Sequence, residues 1–403
     1  GRPRLVRKLT HPGAWPLLRS RPMESANKPK LWNFSAGPAI LPQSVLERAA
    51  EAIRELRKDG HAPGAAGVGM SILEISHRSK PYEDITFGAE KLCHEVLGIP
   101  DTHQVLFLQG GASLQFVMVP LNLRDEGRPA SYIDTGVWSS KAIAESEGLG
   151  PTRVVASSKA TNYDRIPAFP AADAYAGSSY LHITTNNTIF GTEYPEIPAA
   201  EGGVPLVIDF SSHAGARPMA LDRVALGYAG AQKNLGPSGV TLVFVRKDLL
   251  ARKLAGHVPV YMRYSTHAKE PSLYNTPNTF GVLVLKLVLE WMRDQGGVTA
   301  IGEVNERKAQ RLYDVLDRSQ VFLAHAQPGS RSRMNVTWTA GRAPEADREA
   351  ITARFLKEAQ ALGFDGLKGH RSVGGLRASI YNAFPEAGVA ALCEFIADFE
   401  RRL

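Results

Sequence analysis

Short, nearly unbroken apolar runs alternate along most of this chain with stretches whose apolar residues recur every three or four positions. QVLFLQ (104–109), PLVIDF (205–210) and GVTLVFV (239–245) are of the first kind. A strand that is apolar on both faces belongs in a parallel sheet covered by helices. QSVLERAAEAIRELRKDG (43–60) is of the second kind, with Leu46, Ala49, Ala50, Ile53 and Leu56 at helical spacing between Pro42 and Gly60. ASLQFVMVPLN (112–122) predicts a helix directly after Gly110-Gly111, and GVLVLKLVLEWMRDQ (281–295) and VNERKAQRLYDVLDRS (304–319) predict longer ones. The alternation predicts an α/β protein. From about residue 320, the strand-like SRMNVTWT and LRASIYN and the helical ADREAITARFLKEAQALG and AGVAALCEFIADFERRL predict a smaller α+β part. The expected division is a basic leader at 1–30, a large domain at 31–295 and a small C-terminal domain at 296–403.

Composition narrows the function classes. The 403 residues are 44% hydrophobic and 22% charged, as in an ordinary globular protein. The net charge of +7 is misleading. Residues 1–30 carry eight Lys or Arg against Glu24 alone, so residues 31–403 are net neutral. A nucleic-acid partner needs a basic face on the folded part and is not expected. No apolar run approaches the ~18 residues of a membrane span, so no membrane association is expected. Two cysteines, Cys93 and Cys393, give neither metal-ligand spacing nor a disulfide framework, which suits a reducing, cytoplasmic setting. The leader is Arg-rich and nearly free of acid, like an organelle transit peptide. Its sparse serines and its Pro12 and Pro16 oppose an amphipathic helix, leaving vector-derived sequence as the other reading.

Several stretches carry candidate chemistry. In FLQGGASLQF (107–116) a strand ends, two glycines turn the chain and a helix begins near Ala112-Ser113. Such a helix start offers free N–H groups to a phosphate, although many strand-to-helix turns look alike. Asp209 ends the apolar run LVID. It either caps the following turn or holds a proton on a ligand nitrogen at the carboxyl edge of a sheet. Lys233 is the one charge in GYAGAQKNLGPSG (227–239), which is either a solvated loop or a lysine brought close to a bound molecule by small neighbours. A strand-end Asp followed by such a lysine fits a pyridoxal-phosphate site, with the lysine forming an imine and the carboxylate facing the pyridinium nitrogen. Trp138 in YIDTGVWSS is either a core residue or a ring that stacks on the cofactor. The triplet His-Arg-Ser occurs twice, at His77-Arg78 and His370-Arg371, the second followed by Arg377. Arg grips carboxylate and phosphate oxygens in pairs, so the two triplets together suit a substrate bearing both groups. YNTPNTF (274–280) reads on its own as a rigid polar turn.

Taken together, NFSAGPAILP, SILEISHRSK, FLQGGASLQF, NNTIFGTEYP, YAGAQKNLGPSGVT, YNTPNTF and LKGHRSVGGLRASIYNAF resemble the phosphoserine aminotransferases. These are fold-type I pyridoxal-phosphate enzymes of aminotransferase class V, and the likeness runs from about Asn33 to the C-terminus. It implies a mainly parallel seven-stranded sheet, a small C-terminal domain and a homodimer with shared active sites. It implies Lys233 as the imine lysine, Asp209 as partner of the ring nitrogen and Trp138 as the stacking ring. Ala112, Ser113 and Gln232 would reach the cofactor phosphate and Thr188 the phenolic oxygen. Asn275 and Thr276 would be phosphate ligands given by the other subunit. His77, Arg78, His370 and Arg371 would hold the substrate phosphate, with Arg78 a residue the partner chain could supply, and Arg377 would anchor the carboxylate. The implied reaction passes the amine of glutamate to 3-phosphohydroxypyruvate, giving 2-oxoglutarate and O-phospho-L-serine, with Lys233 moving the proton. The likeness leaves open whether the phosphorylated threonine precursor of vitamin B6 is also used. Two places depart from the family pattern: the long stretch 59–74, and His213 in SSHAGARPM. A cysteine desulfurase would need a thiol on a mobile loop, whereas Cys93 and Cys393 fall in helical patterns. A class V aminotransferase for a non-phosphorylated 2-oxo acid would lack one His-Arg pair. A non-catalytic cofactor-binding module would take up the cofactor without turnover.

Overall fold

The computed structural model describes residues 31–403, and the basic leader lies outside the described residues. Seven strands form the central sheet: β1 (His103–Leu108), β2 (Ala130–Asp134), β3 (Thr152–Ser157), β4 (Leu181–Thr184), β5 (Leu206–Asp209), β6 (Leu226–Gly230) and β7 (Thr241–Arg246). Their order is β1-β7-β6-β5-β4-β2-β3. β7 alone runs antiparallel to its neighbours, with Thr241 opposite both Leu108 and Gly230. The mainly parallel sheet expected from the sequence is therefore present, with one reversed strand.

Helices cover both faces of the sheet, and the two-residue period of a strand sorts its side chains between them. Val105, Phe107, Leu206, Ile208, Leu242 and Phe244 point into one core with α1 (Gln43–Arg54), α2 (Lys80–Leu97) and α5 (Thr279–Asp294). Leu106, Leu108, Val207, Val243 and Val245 point into the other, with α3 (Gly111–Leu123) and α4 (Val137–Leu149). Four of the seven strands, β2, β3, β4 and β6, escape an apolar-run search because they carry Ser, Tyr, His or Gly. Those in the middle of the sheet are nonetheless buried, because their polar groups pair with one another. His182 Nε2 meets Tyr228 Oη at 2.7 Å, and the Tyr132 and Tyr180 hydroxyls meet at 2.6 Å.

The first helix corrects the sequence reading in two ways. It stops at Arg54 rather than near Gly60, and its buried side is Val45, Ala49 and Ala52, while Leu46 and Ile53 face solvent. Glu55 is extended, and Leu56 then pairs with the 68–70 segment through Leu56 N to Met70 O and Val68 N to Leu56 O. Asp59, Gly60 and His61 turn left-handed, at φ +55°, +65° and +65°. The buried His61 ring secures that turn, Nδ1 accepting from Arg57 N and Nε2 reaching Arg48 O.

The C-terminal part builds a second core around a three-stranded antiparallel sheet, β8 (Leu323–Ala324), β9 (Asn335–Thr339) and β10 (Leu376–Ser379). The helices α6 (Gly297–Arg318), α7 (Arg348–Ala361) and α8 (Glu386–Arg401) pack on it. Trp32-Asn33 pair with Phe364-Asp365, so the first described residues belong to this second core. Lys308 of α6 donates to the carbonyls of Ile380, Tyr381 and Phe384, fixing the chain just beyond β10.

Candidate active site

The carboxyl ends of the parallel strands gather most of the expected residues, as an open α/β sheet allows. Asp209 is the last residue of β5, Lys233 follows β6 by three residues, Gly110-Gly111 follow β1, and Trp138 opens α4 after β2. Thr188 sits at the turn of a small hairpin, 186–187 against 192–193, beyond β4.

Lys233 is buried, so the solvated-loop reading falls. Its Nζ donates to Thr188 Oγ1 at 2.7 Å and stands 5.8 Å from the Trp138 ring centroid. Burial pushes its amine down to about 8, with Asp209 opposing that fall and Arg377 adding to it. Small neighbours do permit the close approach. A Cβ on Gly37 would stand 3.6 Å from Lys233 Cγ, placing the SAGP segment directly against the lysine.

Asp209 caps the turn that follows it, one of the two roles the sequence allowed. Its Oδ1 accepts from Ser211 N at 3.0 Å and Ser211 Oγ at 2.7 Å, a turn-capping pattern. Among the described residues no hydrogen bond reaches Oδ2, which keeps its capacity to face a ligand. Burial raises the carboxyl, while the two Ser211 bonds and Lys233 pull it back. Ser211 Oγ also accepts from Gly230 N, tying the end of β5 to the end of β6. Sequence reasoning missed Ser211, although a Ser two residues after a strand-end Asp is a recognisable turn signal.

Gly110 and Gly111 adopt φ +87° and +67°, a turn that favours glycine. The N–H groups of Gly111, Ala112 and Ser113 open α3 with no acceptor in the helix. Ala112 is half-buried and Ser113 exposed. Gln232 is half-buried, and its side chain folds back over Gly230. Asn275 and Thr276 are exposed on a loop held by Gln109 Nε2 to Thr276 O at 3.0 Å, beside the same glycine turn.

The two His-Arg pairs part company. Arg377 lies on β10 with its Nε buried and unpartnered. The His370 ring is lowered by burial, then by the charges of Arg377, Arg371 and Lys141. Val373, next to the second triplet, packs in one apolar cluster with Trp138, whose ring Lys233 also approaches. His77 and Arg78 lie between Ile75 and α2. Among the described residues no hydrogen bond, ion pair or ring contact joins them to Lys233, Asp209 or Arg377. His77 Nε2 is buried without a partner, and Arg78 is exposed. The unexpected member is Lys141, whose Nζ stands 4.8 Å from the Trp138 ring centroid.

A buried lysine of lowered basicity, a buried strand-end carboxylate with a free oxygen, an indole within reach and a glycine-turned helix start fit pyridoxal phosphate. A family model described as aminotransferase class-V matches residues 31–392. Phosphoserine aminotransferases of Halalkalibacterium halodurans and Geobacillus kaustophilus are 47% and 49% identical to the chain. They cover 92% and 93% of it, with 98% and 99% of their own lengths. The crystal structure of pyridoxal-phosphate-bound phosphoserine aminotransferase from Trichomonas vaginalis superposes with TM-score 0.81 at 34% identity, over 91% of this chain and 100% of that one. The enzyme from Bacillus circulans subsp. alkalophilus gives TM-score 0.84 at 43% identity, over 93% and 99%. The fold and site are thus those of a class V aminotransferase that uses pyridoxal phosphate. Within that class, the chain belongs to the phosphoserine aminotransferase family.

Proposed function

We propose that this chain passes the amino group of L-glutamate to 3-phosphohydroxypyruvate, releasing 2-oxoglutarate and O-phospho-L-serine. The observation that supports this reading is Arg377, buried at Nε without a partner and acting electrostatically on Lys233, with His370 and Arg371 in the same turn and no acid paired with either arginine. Among the described residues neither arginine has an ion-pair partner. A substrate with a carboxylate and a phosphate supplies the missing charge.

When bound, pyridoxal phosphate supplies an electron sink for the pair left at the substrate Cα. The chain's residues do the rest. Asp209 Oδ2 would hold a proton on the ring nitrogen, with the Ser211 bonds opposing the effect of burial on that carboxyl. Trp138 would pack against the ring, and the N–H groups of Gly111, Ala112 and Ser113, with Gln232, would hold the cofactor phosphate. Arg377 holds the substrate carboxylate. Ser372 N donates to His370 Nδ1 at 3.2 Å, so the neutral ring carries its proton on Nε2 and can offer it to the substrate phosphate. Lys233 Nζ removes the proton from Cα, and an amine held near 8 takes and returns a proton at neutral pH.

A second copy of the chain completes the site in this reading. His77-Arg78 and Asn275-Thr276 lie at the surface, flanked by the exposed apolar residues Met70, Leu73 and Tyr274, so a partner could bury the apolar rim while receiving these polar groups. The division at about residue 295 rests on the two separate hydrophobic cores. A cytoplasmic setting is supported by Cys93 and Cys393, both buried free thiols.

The test is a single-turnover visible spectrum of the protein loaded with cofactor, mixed separately with O-phospho-L-serine and L-serine. Bleaching by the phosphorylated compound alone is expected. Equal bleaching by both would refute phosphate recognition and favour a non-phosphorylated substrate, and uptake of cofactor with no bleaching would make the chain a non-catalytic binder.

A further inference from the structure

Lys141 stands apart from the other surface lysines. It lies one turn beyond Trp138 on α4, so the two share a helix face. Its Nζ is 4.8 Å from the indole centroid, a distance at which the ring attracts and holds an ammonium. Lys233 Nζ approaches the same indole at 5.8 Å from its centroid. Among the described residues Lys141 has no carboxylate partner, and neither do Arg371 and Arg377. Its charge acts on the His370 ring together with theirs. Val373 of the 370–377 turn packs in one small apolar cluster with Val137 and Trp138 at the start of α4, which brings the helix of Lys141 to the turn that carries His370, Arg371 and Arg377. Unneutralised cations held together repel, and a folded chain tolerates the cluster where an anion is to be bound.

The ligand's charge fits that count. A phosphate monoester carries −1.5 to −2 near pH 7 and the carboxylate beside it another −1. Arg377 answers the carboxylate. Arg371 supplies one full charge for the phosphate, and a neutral His370 supplies a hydrogen bond without charge. Arg78 received from a second copy would bring the phosphate's share to two, and Lys141, a mobile point charge for phosphate, would add a third that favours the doubly charged group.

We propose that Lys141 is a specificity-determining residue that contacts the substrate's phosphate, making the site selective for a dianionic over a monoanionic side chain. This rests on the reading of the site as one for a phosphorylated substrate.

The test uses the full chain loaded with cofactor, comparing wild type, Lys141→Gln and Lys141→Arg with O-phospho-L-serine and L-glutamate. Losing a charged contact predicts a KM for O-phospho-L-serine raised ~10–30-fold in Lys141→Gln. Its kcat should stay within about twofold, and the KM for singly charged glutamate should rise no more than about threefold. Lys141→Arg should recover the wild-type KM to within about threefold. A KM for O-phospho-L-serine that moves less than about twofold overturns the proposal. So does an equal rise for both substrates with an altered visible band, because Lys141 would then act only through Trp138. A wild-type protein that ignores O-phospho-L-serine would instead overturn the parent reading.

Discussion

Replacing Glu193 with Gln should destabilise the protein by about 3 kcal/mol near neutral pH, and the deficit should fade in acid. Glu193 ends the hairpin that carries Thr188 and is almost wholly buried. Two arginines and a histidine surround it. Arg333 pairs with Oε1 through its guanidinium and donates its backbone N–H to Oε2 at 2.8 Å. Arg217 Nε lies 3.4 Å from Oε1, and His213 Nε2 lies 3.3 Å from it, misaligned for a hydrogen bond. Burial alone would push this carboxyl up, but His213 and Arg333 outweigh burial and hold it at about 2, against an ordinary 4.5. A depressed carboxylate pKa gives stability that is fully present above the unfolded value of 4.5 and lost as the pH falls toward 2. That depression corresponds to about 3 kcal/mol at pH 7 and to about 1 kcal/mol at pH 3. An independent route, removal of one partner from a buried ion pair, gives about 3–5 kcal/mol. A cavity of about 330 Å³ beside Glu193, lined also by Tyr313, Arg331 and Arg333, lets water reach these cations and favours the lower end.

For a chain of this size, about 3 kcal/mol lowers Tm by roughly 4 °C. Differential scanning calorimetry of Glu193→Gln against wild type at one scan rate and one saturating cofactor concentration would measure it. The comparison should be made at pH 7 and at pH 3. A variant melting within about 1 °C of wild type at pH 7 would refute the ion-pair reasoning. A deficit just as large at pH 3 would refute its electrostatic origin and point to lost packing instead.

Lys233→Ala should lower turnover by at least ~100-fold, measured as O-phospho-L-serine formed per enzyme, since it removes the group that moves the proton. An amine lowered to about 8 is neutral above that pH, so cofactor-free protein should capture pyridoxal phosphate about tenfold faster per unit rise in pH up to 8, with a plateau above it in stopped-flow absorbance. Ser211→Ala deletes the 2.7 Å bond to Asp209 and lets the carboxyl rise further, so kcat should fall ~10-fold with KM little changed in steady-state kinetics. Arg377→Ala should raise KM for glutamate and O-phospho-L-serine alike, because both carry the α-carboxylate, whereas Arg371→Ala should raise the second far more than the first.

What the sequence made legible follows from chemistry that is local in the chain. The glycine turn before α3, the Asp that ends β5 and the lysine in a small-residue turn are each written within a few residues, and the sheet brings their strand ends to one edge. β2, β4 and β6 were not legible as strands, because buried Tyr132, His182 and Tyr228 look polar until their hydrogen bonds to Tyr180 and to one another are seen. The end of α1 was not legible either. The helical pattern continues to Leu56, but Leu56 is claimed by pairing with Met70, a contact that no local period records.

The cationic residues make the same point for recognition. The two His-Arg-Ser triplets are identical as strings, yet only the second lies with Arg377 and Lys233, while the first stays at the surface near the turn before α2. Lys141 carried no motif at all, because a lysine three residues after a tryptophan is an ordinary helical pair. What marks a cation as a ligand group is a spatial property: other cations nearby and no acid within reach. Arg48, Arg217, Arg331 and Arg333 are also arginines on interior-facing positions, but each has its carboxylate, in Glu290, Glu193, Asp317 and Glu306. Charges that the chain neutralises itself hold the fold, and those it leaves unanswered at the carboxyl edge of the sheet are the ones a phosphorylated amino acid can satisfy.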